Sequence, residues 1–217
     1  GDHDHKTVLL NANYKFMPEL SLTGYYYAID NITYADHSSD TFGLRATGQV
    51  SDFGYVAEFA SQSEGGDNPA EYSAAYMNLE GSYSIKPVTF TIGHEVLGSD
   101  DDKGYFKTPL ATLHKFQGWT DSFLGFADGN KAAGIADTYI TVAGKAGPVK
   151  LVGSYHTLST DDSDVVGFDD YGTEIGFVVA GKVAGVGLSL KYAAFSADDD
   201  SGMTDTDKLW LTAETSF

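Results

Sequence analysis

Apolar and polar residues alternate with period two through most of this chain. In the C-terminal stretch Lys208–Phe217, Leu209 and Leu211 have one parity, and Lys208 and Glu214 have the other. Successive side chains of a β-strand point to opposite faces, so the pattern predicts a strand with one apolar face and one polar face. The pattern recurs about eleven times along the chain, which predicts an all-β protein.

The connections between the predicted strands alternate strictly between short turns and long polar loops. The short turns are Pro18-Glu19, Ser51-Asp52, Lys86-Pro87, Gly147-Pro148 and Ala184-Gly185. The long loops span roughly residues 30–40, 61–72, 99–136, 159–170 and 196–207. Transmembrane barrels show this asymmetry, with short periplasmic turns at one rim and long extracellular loops at the other. A soluble β-sandwich has no reason to sort its loops in this way.

Charged side chains are almost confined to one face of the predicted strands, and the other face carries Leu, Val, Ile, Ala, Phe and Tyr. A charge facing lipid at the bilayer midplane costs ~2–4 kcal/mol, so insertion into a membrane requires such a charge-free face. The charged face supplies the predicted pore-lining residues: Lys15, Arg45, Glu58, Glu80, Glu95, Lys150, His156, Glu174, Lys182, Lys191, Lys208 and Glu214.

The predicted fold is therefore an antiparallel, up-and-down transmembrane β-barrel of the bacterial outer membrane, in contact with membrane lipid and lipopolysaccharide. The aromatic residue at the C-terminus, Phe217, is typical of the assembly signal of such barrels. Bacterial single-chain barrels have even strand numbers and two periplasmic termini. We therefore expect residues 1–217 to be one domain, the C-terminal portion of a larger barrel. Preceding residues or a partner chain would supply an odd number of strands.

The composition excludes several other classes of protein. The formal net charge of −18 argues against nucleic acid as a partner, because phosphate binding needs a basic face. No apolar run approaches the ~20 residues that a membrane-spanning helix needs. Cysteine is absent from the chain, as fits an oxidising compartment.

The longest predicted loop, residues 99–136, is the strongest functional candidate. A structureless segment of this length is uncommon unless it plugs, gates or binds. We expect it to fold into the lumen and to form a locally basic constriction, with an apolar side formed by Leu110, Leu113, Phe116, Phe123 and Leu124. The alternative is an extracellular flap packed on its own aromatic side chains. The predicted constriction residues are Lys107, His114, Lys115, Phe116 and Trp119.

Acidic runs lie in the other long connections and at the start of the longest loop. Their carboxylates are candidate Ca²⁺ ligands, directly or as a bridge to lipopolysaccharide phosphates, although the spacing is not that of an EF-hand. The alternative is a set of solvated loop carboxylates. The candidate ligands are Asp100, Asp101, Asp102, Asp198, Asp199 and Asp200, and no other cofactor is predicted.

Serine, histidine and carboxylate side chains also recur on the charged face. Ser154 and His156 lie two residues apart and Glu174 is on the next predicted strand, so a hydrolytic group is conceivable. Polar interior residues are the norm in porins. We therefore predict that the protein is not an enzyme.

Several motifs resemble outer-membrane porins of the alginate-export-domain family, over most of the chain and in the C-terminal half of such proteins. The resemblance implies an outer-membrane channel. Exporters of that family have a strongly cationic constriction. The charged face of this chain carries both basic and acidic residues, so the resemblance does not identify the solute. The motifs are Phe106–Trp119, Asp121–Leu124, Ser39–Arg45, Gly66–Ala70, Glu95–Gly98 and Thr206–Trp210.

Two classes of function remain. The first is a channel for small polar or anionic solutes, including polysaccharide or its oligomers. The second is a structural or adhesive surface protein that displays acidic, divalent-cation-binding loops. Ion conductance in a planar bilayer would distinguish the first from the second.

Overall fold

The architecture is a large antiparallel sheet whose long connections all lie at the same end of the strands. The computed structural model describes residues 3–101, 103–111, 114–124 and 132–215. The strands of the large sheet are β1 (His5–Met17), β2 (Leu20–Asn31), β3 (Ser39–Val50), β4 (Phe53–Glu64), β5 (Ser73–Ile85), β6 (Val88–Leu97), β9 (Ile135–Ala146), β10 (Val149–Ser159), β11 (Asp170–Val183), β12 (Val186–Ala197) and β13 (Thr206–Glu214). The remaining elements are the small hairpin β7 (Ser99–Asp100) and β8 (Gly104–Tyr105) and the 3₁₀ helices Ala35–His37 and Ser163–Val165.

The eleven strands of the large sheet follow one another in chain order, each antiparallel to the next. The β7–β8 hairpin is a separate two-stranded sheet, so the described residues between β6 and β9 add no strand to the large one. The predicted strand number and up-and-down order are confirmed. Within the described residues, β1 pairs only with β2 and β13 pairs only with β12.

All five predicted short turns are present and join strands of the sheet directly. In the turn between β11 and β12, Ala184 has φ of 50° and Gly185 has φ of 85°. Two positive φ values are the signature of the type I′ turn, whose twist matches that of the flanking strands. The end of the sheet at which these turns lie is here called the turn rim, and the opposite end, with the long connections, is called the loop rim.

The two faces of the sheet differ as the alternation predicted. One face, here the outer face, exposes large apolar side chains, among them Phe42 at 64 % and Leu209 at 67 %. On the other, the inner face, Glu58, Glu95 and Glu174 are buried. Strand pairing places all twelve predicted pore-lining residues on the inner face.

Two glycines on the inner face make room for tyrosine rings from neighbouring strands. A Cβ atom on Gly43 would lie 2.1 Å from the ring of Tyr25, and one on Gly93 would lie 2.2 Å from the ring of Tyr139. Each glycine is paired directly with its tyrosine across the sheet. The tyrosines therefore lie flat on the inner face, where their hydroxyl groups reach carboxylates.

No helix among the described residues is long and apolar enough to cross a membrane.

Candidate channel-lining site

The segment made of residues 106–111 and 114–124, here called the inner-loop segment, lies against the inner face of the sheet. Its first residue, Phe106, is buried in an apolar cluster with Ala60, Tyr72, Ala74 and Leu97. Near its end, Phe123 is buried in a second cluster, whose other members are Ile135, Leu158, Tyr171 and Phe195. Both clusters join the segment to strand residues, so apolar packing holds it at each end.

Between these anchors, Gln117 is bound by a strand carboxylate. Its Nε2 donates to Glu95 Oε2 at 2.5 Å, and the hydroxyl of Tyr76 donates to Glu95 Oε1 at 2.6 Å. Glu95 and Gln117 are 5 % and 4 % exposed. A buried carboxylate is tolerated only when hydrogen bonds or charges satisfy it, and here one loop amide and one strand hydroxyl do so.

The strongest attachment is at Glu174, which is 1 % exposed. Its carboxylate accepts hydrogen bonds from the amide of Trp119, from the amide of Thr120 at 3.0 Å and from the Thr120 hydroxyl at 2.6 Å. Gly118 has φ of 84°, and a Cβ there would lie 2.4 Å from Glu174 Oε2. The Gly118-Trp119 pair of the motif therefore lets the loop backbone approach a buried carboxylate.

A basic cluster lies beside this attachment, formed by side chains of the inner-loop segment, β12 and β13. His114 is central, with Nε2 at 2.9 Å from Lys191 Nζ and Nδ1 at 2.5 Å from Asp121 Oδ1. Lys208 Nζ lies 3.0 Å from the other oxygen of Asp121. Burial opposes ionisation of Asp121, but the hydrogen bonds from His114 and Lys208 outweigh it and hold the pKa of Asp121 below its usual value.

The ammonium of Lys191 also lies between two indole rings. Its Nζ is 4.3 Å from the centroid of Trp119 and 5.2 Å from that of Trp210. Cation–π attraction of this kind contributes about 0.5–2 kcal/mol per contact. The rings therefore fix the position of a positive charge on the inner face.

Lys107 lies at the other end of the inner-loop segment. Its Nζ donates to the carbonyl of Asp36 at 2.8 Å, and its backbone amide donates to Gln62 Oε1 at 2.7 Å. Burial lowers the pKa of the Lys107 ammonium. The side chain therefore ties the segment to the loop rim.

An open cavity of about 390 Å³ lies between the inner-loop segment and strands β1–β6. One wall carries an ion pair, with Arg45 Nη1 at 2.7 Å from Glu58 Oε2. The hydroxyl of Tyr25 donates to the other oxygen of Glu58 at 2.8 Å. On the loop side the cavity is bounded by Phe106, Pro109 and other residues of the inner-loop segment.

The predicted residues fall into three groups. Arg45, Glu58, Glu80, Glu95, His156, Glu174, Lys191 and Lys208 are buried or half-buried on the inner face. Exposed side chains toward the turn rim belong to Lys15, Lys150, Lys182 and Glu214. Of the predicted constriction residues, Lys107, His114 and Trp119 contact other parts of the chain as described, whereas Lys115 and Phe116 are exposed.

The apolar side predicted for the loop is formed only in part by the residues expected. Leu110, Phe116 and Leu124 are 64 %, 41 % and 40 % exposed, whereas Phe123, which was expected on that side, is buried, as is Phe106, which was not. The segment lacks regular periodicity, so its sequence gave no sign of which apolar residues meet the sheet. Leu113, also expected on that side, lies outside the described residues.

Sequence reasoning also missed polar partners on the inner face. His156 Nδ1 lies 3.0 Å from both carboxylate oxygens of Asp137, a residue that follows the predicted 99–136 loop and that no prediction singled out. Glu174, the predicted third member of a hydrolytic group, is bonded to the inner-loop segment. The buried hydroxyl of Ser154 makes no hydrogen bond with the described residues. The described residues therefore do not assemble the hydrolytic group considered above.

Two of the predicted acidic ligands accept hydrogen bonds from backbone amides. Asp100 accepts from the amide of Ser73 at 2.8 Å, and Asp198 accepts from the amide of Asp200 at 3.0 Å. Among the residues that the structure describes, no group of three or more His, Asp or Glu side chains is arranged to hold a metal ion. Asp102 lies outside those residues, and Ca²⁺ binding stays a prediction.

The two rims differ in charge. At or near the turn rim lie Lys15, Lys86, Lys145, Lys150 and Lys182, with Glu19, Asp52 and Glu214. Carboxylates predominate at the loop rim, among them Asp36, Asp100, Asp101, Asp161, Asp162, Asp164, Asp169, Asp198, Asp199, Asp200 and Asp205. The loop rim is therefore acidic, and the turn rim is more basic.

Taken together, the antiparallel sheet, the apolar outer face and the inward-folded loop define the fold of bacterial outer-membrane β-barrel proteins. No family model matches the chain. A search of curated proteins likewise finds no match.

Solved structures do match. The outer membrane protein OprD from Pseudomonas aeruginosa is 16 % identical with a TM-score of 0.65, over 96 % of this chain and 59 % of that one. OpdK from the same organism, solved with vanillate, is 15 % identical with a TM-score of 0.66, over 95 % and 55 %. Acinetobacter baumannii OccAB2 is 13 % identical with a TM-score of 0.62, over 94 % and 55 %.

These likenesses confirm the predicted transmembrane-barrel fold. The chain spans between 55 % and 59 % of the length of these three structures. Resemblance to the alginate-export family is not tested by them and stays a prediction.

Proposed function

We propose that this chain forms part of the wall and the constriction of an outer-membrane channel for small polar or anionic solutes. The observation that carries the proposal is the attachment of the inner-loop segment to the inner face through Glu95 and Glu174. A loop held in this position narrows the space enclosed by the sheet. The apolar outer face supports a location in the outer membrane, in contact with lipid and lipopolysaccharide.

A preference for anions rests on the basic cluster. Lys191 and Lys208 carry two positive charges near the carboxylates of Asp121 and Glu174, and the exposed Lys115, next to His114, adds a third positive charge. In a narrow, weakly screened constriction, a small local excess of charge determines the sign of the permeating ion. Polysaccharide or its oligomers, suggested by the alginate-export resemblance, would be the larger anionic solutes of such a channel.

Additional strands are part of the proposal. The outer edges of β1 and β13 carry backbone groups that the described strands leave unpaired. In lipid each unsatisfied backbone group costs several kcal/mol. Further residues of the same polypeptide, or a partner chain, would pair with these edges. Intact mass of the native protein tests this proposal, since a single 217-residue chain that forms a closed barrel alone would contradict it.

The experiment for channel function is single-channel recording of the native protein in a planar lipid bilayer. We expect steps of ion current, and a reduction of that current by vanillate, an aromatic carboxylate bound in the OpdK structure. Correct folding is checked by the heat-dependent shift in gel mobility that stable barrels show. A folded, inserted protein without current would contradict the channel and favour the structural or adhesive alternative.

A further inference from the structure

The cavity between the inner-loop segment and strands β1–β6 has the size of a binding site. Its volume of about 390 Å³ falls within the ~300–1,000 Å³ of typical ligand clefts. We infer that it binds a neutral solute whose hydroxyl groups surround an apolar ring face, as in a pyranose sugar. The inference rests on the proposed function in one respect: the solute reaches the cavity through the channel.

Charge is the first argument. Among the described residues, the charged side chains that line the cavity are Arg45 and Lys107, which are basic, and Glu58 and Glu95, which are acidic. Their formal charges cancel. Arg45 is paired with Glu58 at 2.7 Å, and the Lys107 ammonium is bound to the carbonyl of Asp36 at 2.8 Å. A solute carboxylate that reached the remaining N–H groups of Arg45 would lie close to Glu58, whose charge already neutralises that guanidinium and would repel it, whereas a neutral solute meets no such repulsion.

Aromatic surface is the second argument. The rings of Tyr25 and Tyr27 stack with centroids 4.9 Å apart and an interplanar angle of 22°. Both rings line the cavity, and Phe106 and the half-exposed Phe116 line it from the loop side. Aromatic rings of this kind offer large, rigid apolar faces at little entropic cost. The C–H face of a sugar ring matches such a surface.

Hydrogen-bonding capacity is the third argument. Asn11 and Thr23 contribute an amide and a hydroxyl group to the lining, whereas Gln62 and Thr41, which also line it, are buried and bonded to each other. Among the described residues Arg45 donates one side-chain hydrogen bond, to Glu58, and its other N–H groups are available to a solute. A site that hydrogen-bonds several hydroxyl groups rejects solutes that lack them, because its own polar groups would then be unpaired. The cavity therefore selects for hydroxyl-rich solutes.

Glucose and glucuronate test the inference, since they share one ring and differ by a carboxylate. Binding to the full-length protein in detergent micelles is measured by saturation-transfer NMR, which is independent of conductance. We expect glucose to bind and glucuronate to bind at least about threefold more weakly. Tighter binding of glucuronate, or no binding of glucose, would overturn the inference.

Variants locate the site. Tyr27→Leu removes one ring of the stack and should weaken glucose binding about fivefold. Tyr26→Leu is the matched control, because Tyr26 is the adjacent residue of β2, lies on the outer face and should leave glucose binding unchanged. Equal effects of the two substitutions would overturn the assignment to this cavity.

A variant that changes the charge of the cavity tests whether its neutral lining sets the preference for a neutral solute. Glu58→Gln leaves the guanidinium of Arg45 without its carboxylate, so glucuronate should gain about tenfold relative to glucose. An unchanged ratio in the folded variant would show that Arg45 and Glu58 do not set the preference.

A protein that binds glucose but carries no current would contradict the channel alone. A conducting protein that does not bind glucose would contradict this inference alone.

Discussion

Thr120 in the inner-loop segment and Glu174 on β11 are joined twice, through the amide and the hydroxyl of the threonine, at 3.0 and 2.6 Å from the same carboxylate oxygen. Both residues are almost completely buried. Hydrogen bonds to a charged acceptor are about twice as strong as neutral ones, and removing one partner leaves buried groups unsatisfied. This contact should therefore control the position of the loop.

Substitution of Glu174 should release the inner-loop segment. We expect Glu174→Ala to destabilise the attached loop by about 2–4 kcal/mol, because it removes the acceptor of several buried donors. Single-channel conductance should rise or become noisy, and the segment should be cleaved faster by added protease. Glu214→Ala, at an exposed inner-face position toward the turn rim, is the control. Identical behaviour of the two variants would contradict the attachment.

Gly176 should tolerate no side chain while the segment is docked. A Cβ atom there would lie 2.5 Å from the ring of Trp119, so Gly176→Val should displace the indole. The chain has two tryptophans, and a Trp210→Phe background leaves Trp119 as the only one. Its fluorescence should shift to longer wavelength in the valine variant. Gly24→Ala, where a Cβ meets nothing within 4 Å, should cause no shift.

Two adjacent residues of β12 test the assignment of the faces. Leu190 is 45 % exposed on the outer face, whereas Ser189 belongs to the inner face. Leu190→Arg should cost ~2–4 kcal/mol of insertion if that face meets lipid, and Ser189→Arg should cost far less. The measurement is the fraction of protein that folds into lipid vesicles. Equal insertion of both variants would contradict the register.

Lysines of the inner-loop segment should contribute unequally to ion selectivity. The ammonium of Lys107 is bound to the carbonyl of Asp36, while Lys115 is exposed. We therefore expect Lys115→Ala to reduce anion preference more than Lys107→Ala, as read from reversal potentials across a salt gradient. Cation preference that is unchanged when both lysines are replaced would assign selectivity to the acidic loop rim or to the additional strands. A Debye length of ~8 Å at physiological salt limits the reach of that rim.

Acid should release the contact between His114 and Asp121. The pKa of Asp121 in the folded protein lies below its usual value, so its stabilising effect is complete above the unfolded pKa of ~3.9 and is lost as the pH falls through the folded value. Protease cleavage of the segment should therefore accelerate as the pH falls below ~4. Asp121→Asn should remove that dependence and give faster cleavage at higher pH as well. A variant with the native pH profile would contradict the role of Asp121.

The sequence was a good guide to the sheet and a poor guide to the loop. Alternation assigns each strand residue to a face, and turn chemistry such as Ala184-Gly185 fixes where strands reverse, so both were predictable from local sequence. The contact of Glu174 with Thr120 joins residues 54 positions apart. No period relates such a pair, and the burial of Phe106 while Leu110 is exposed depends on where the loop meets the sheet.

The difference in charge between the two rims also implies that ion current depends on its direction through the pore. An anion that enters from the turn rim first meets the lysines near that edge, whereas one that enters from the loop rim must first pass aspartates. Because fixed charges at the two mouths of a pore change local ion concentrations differently, the current at equal and opposite voltages should differ. The separation of short turns and long loops at opposite rims would then be measured in a bilayer as rectification of the current.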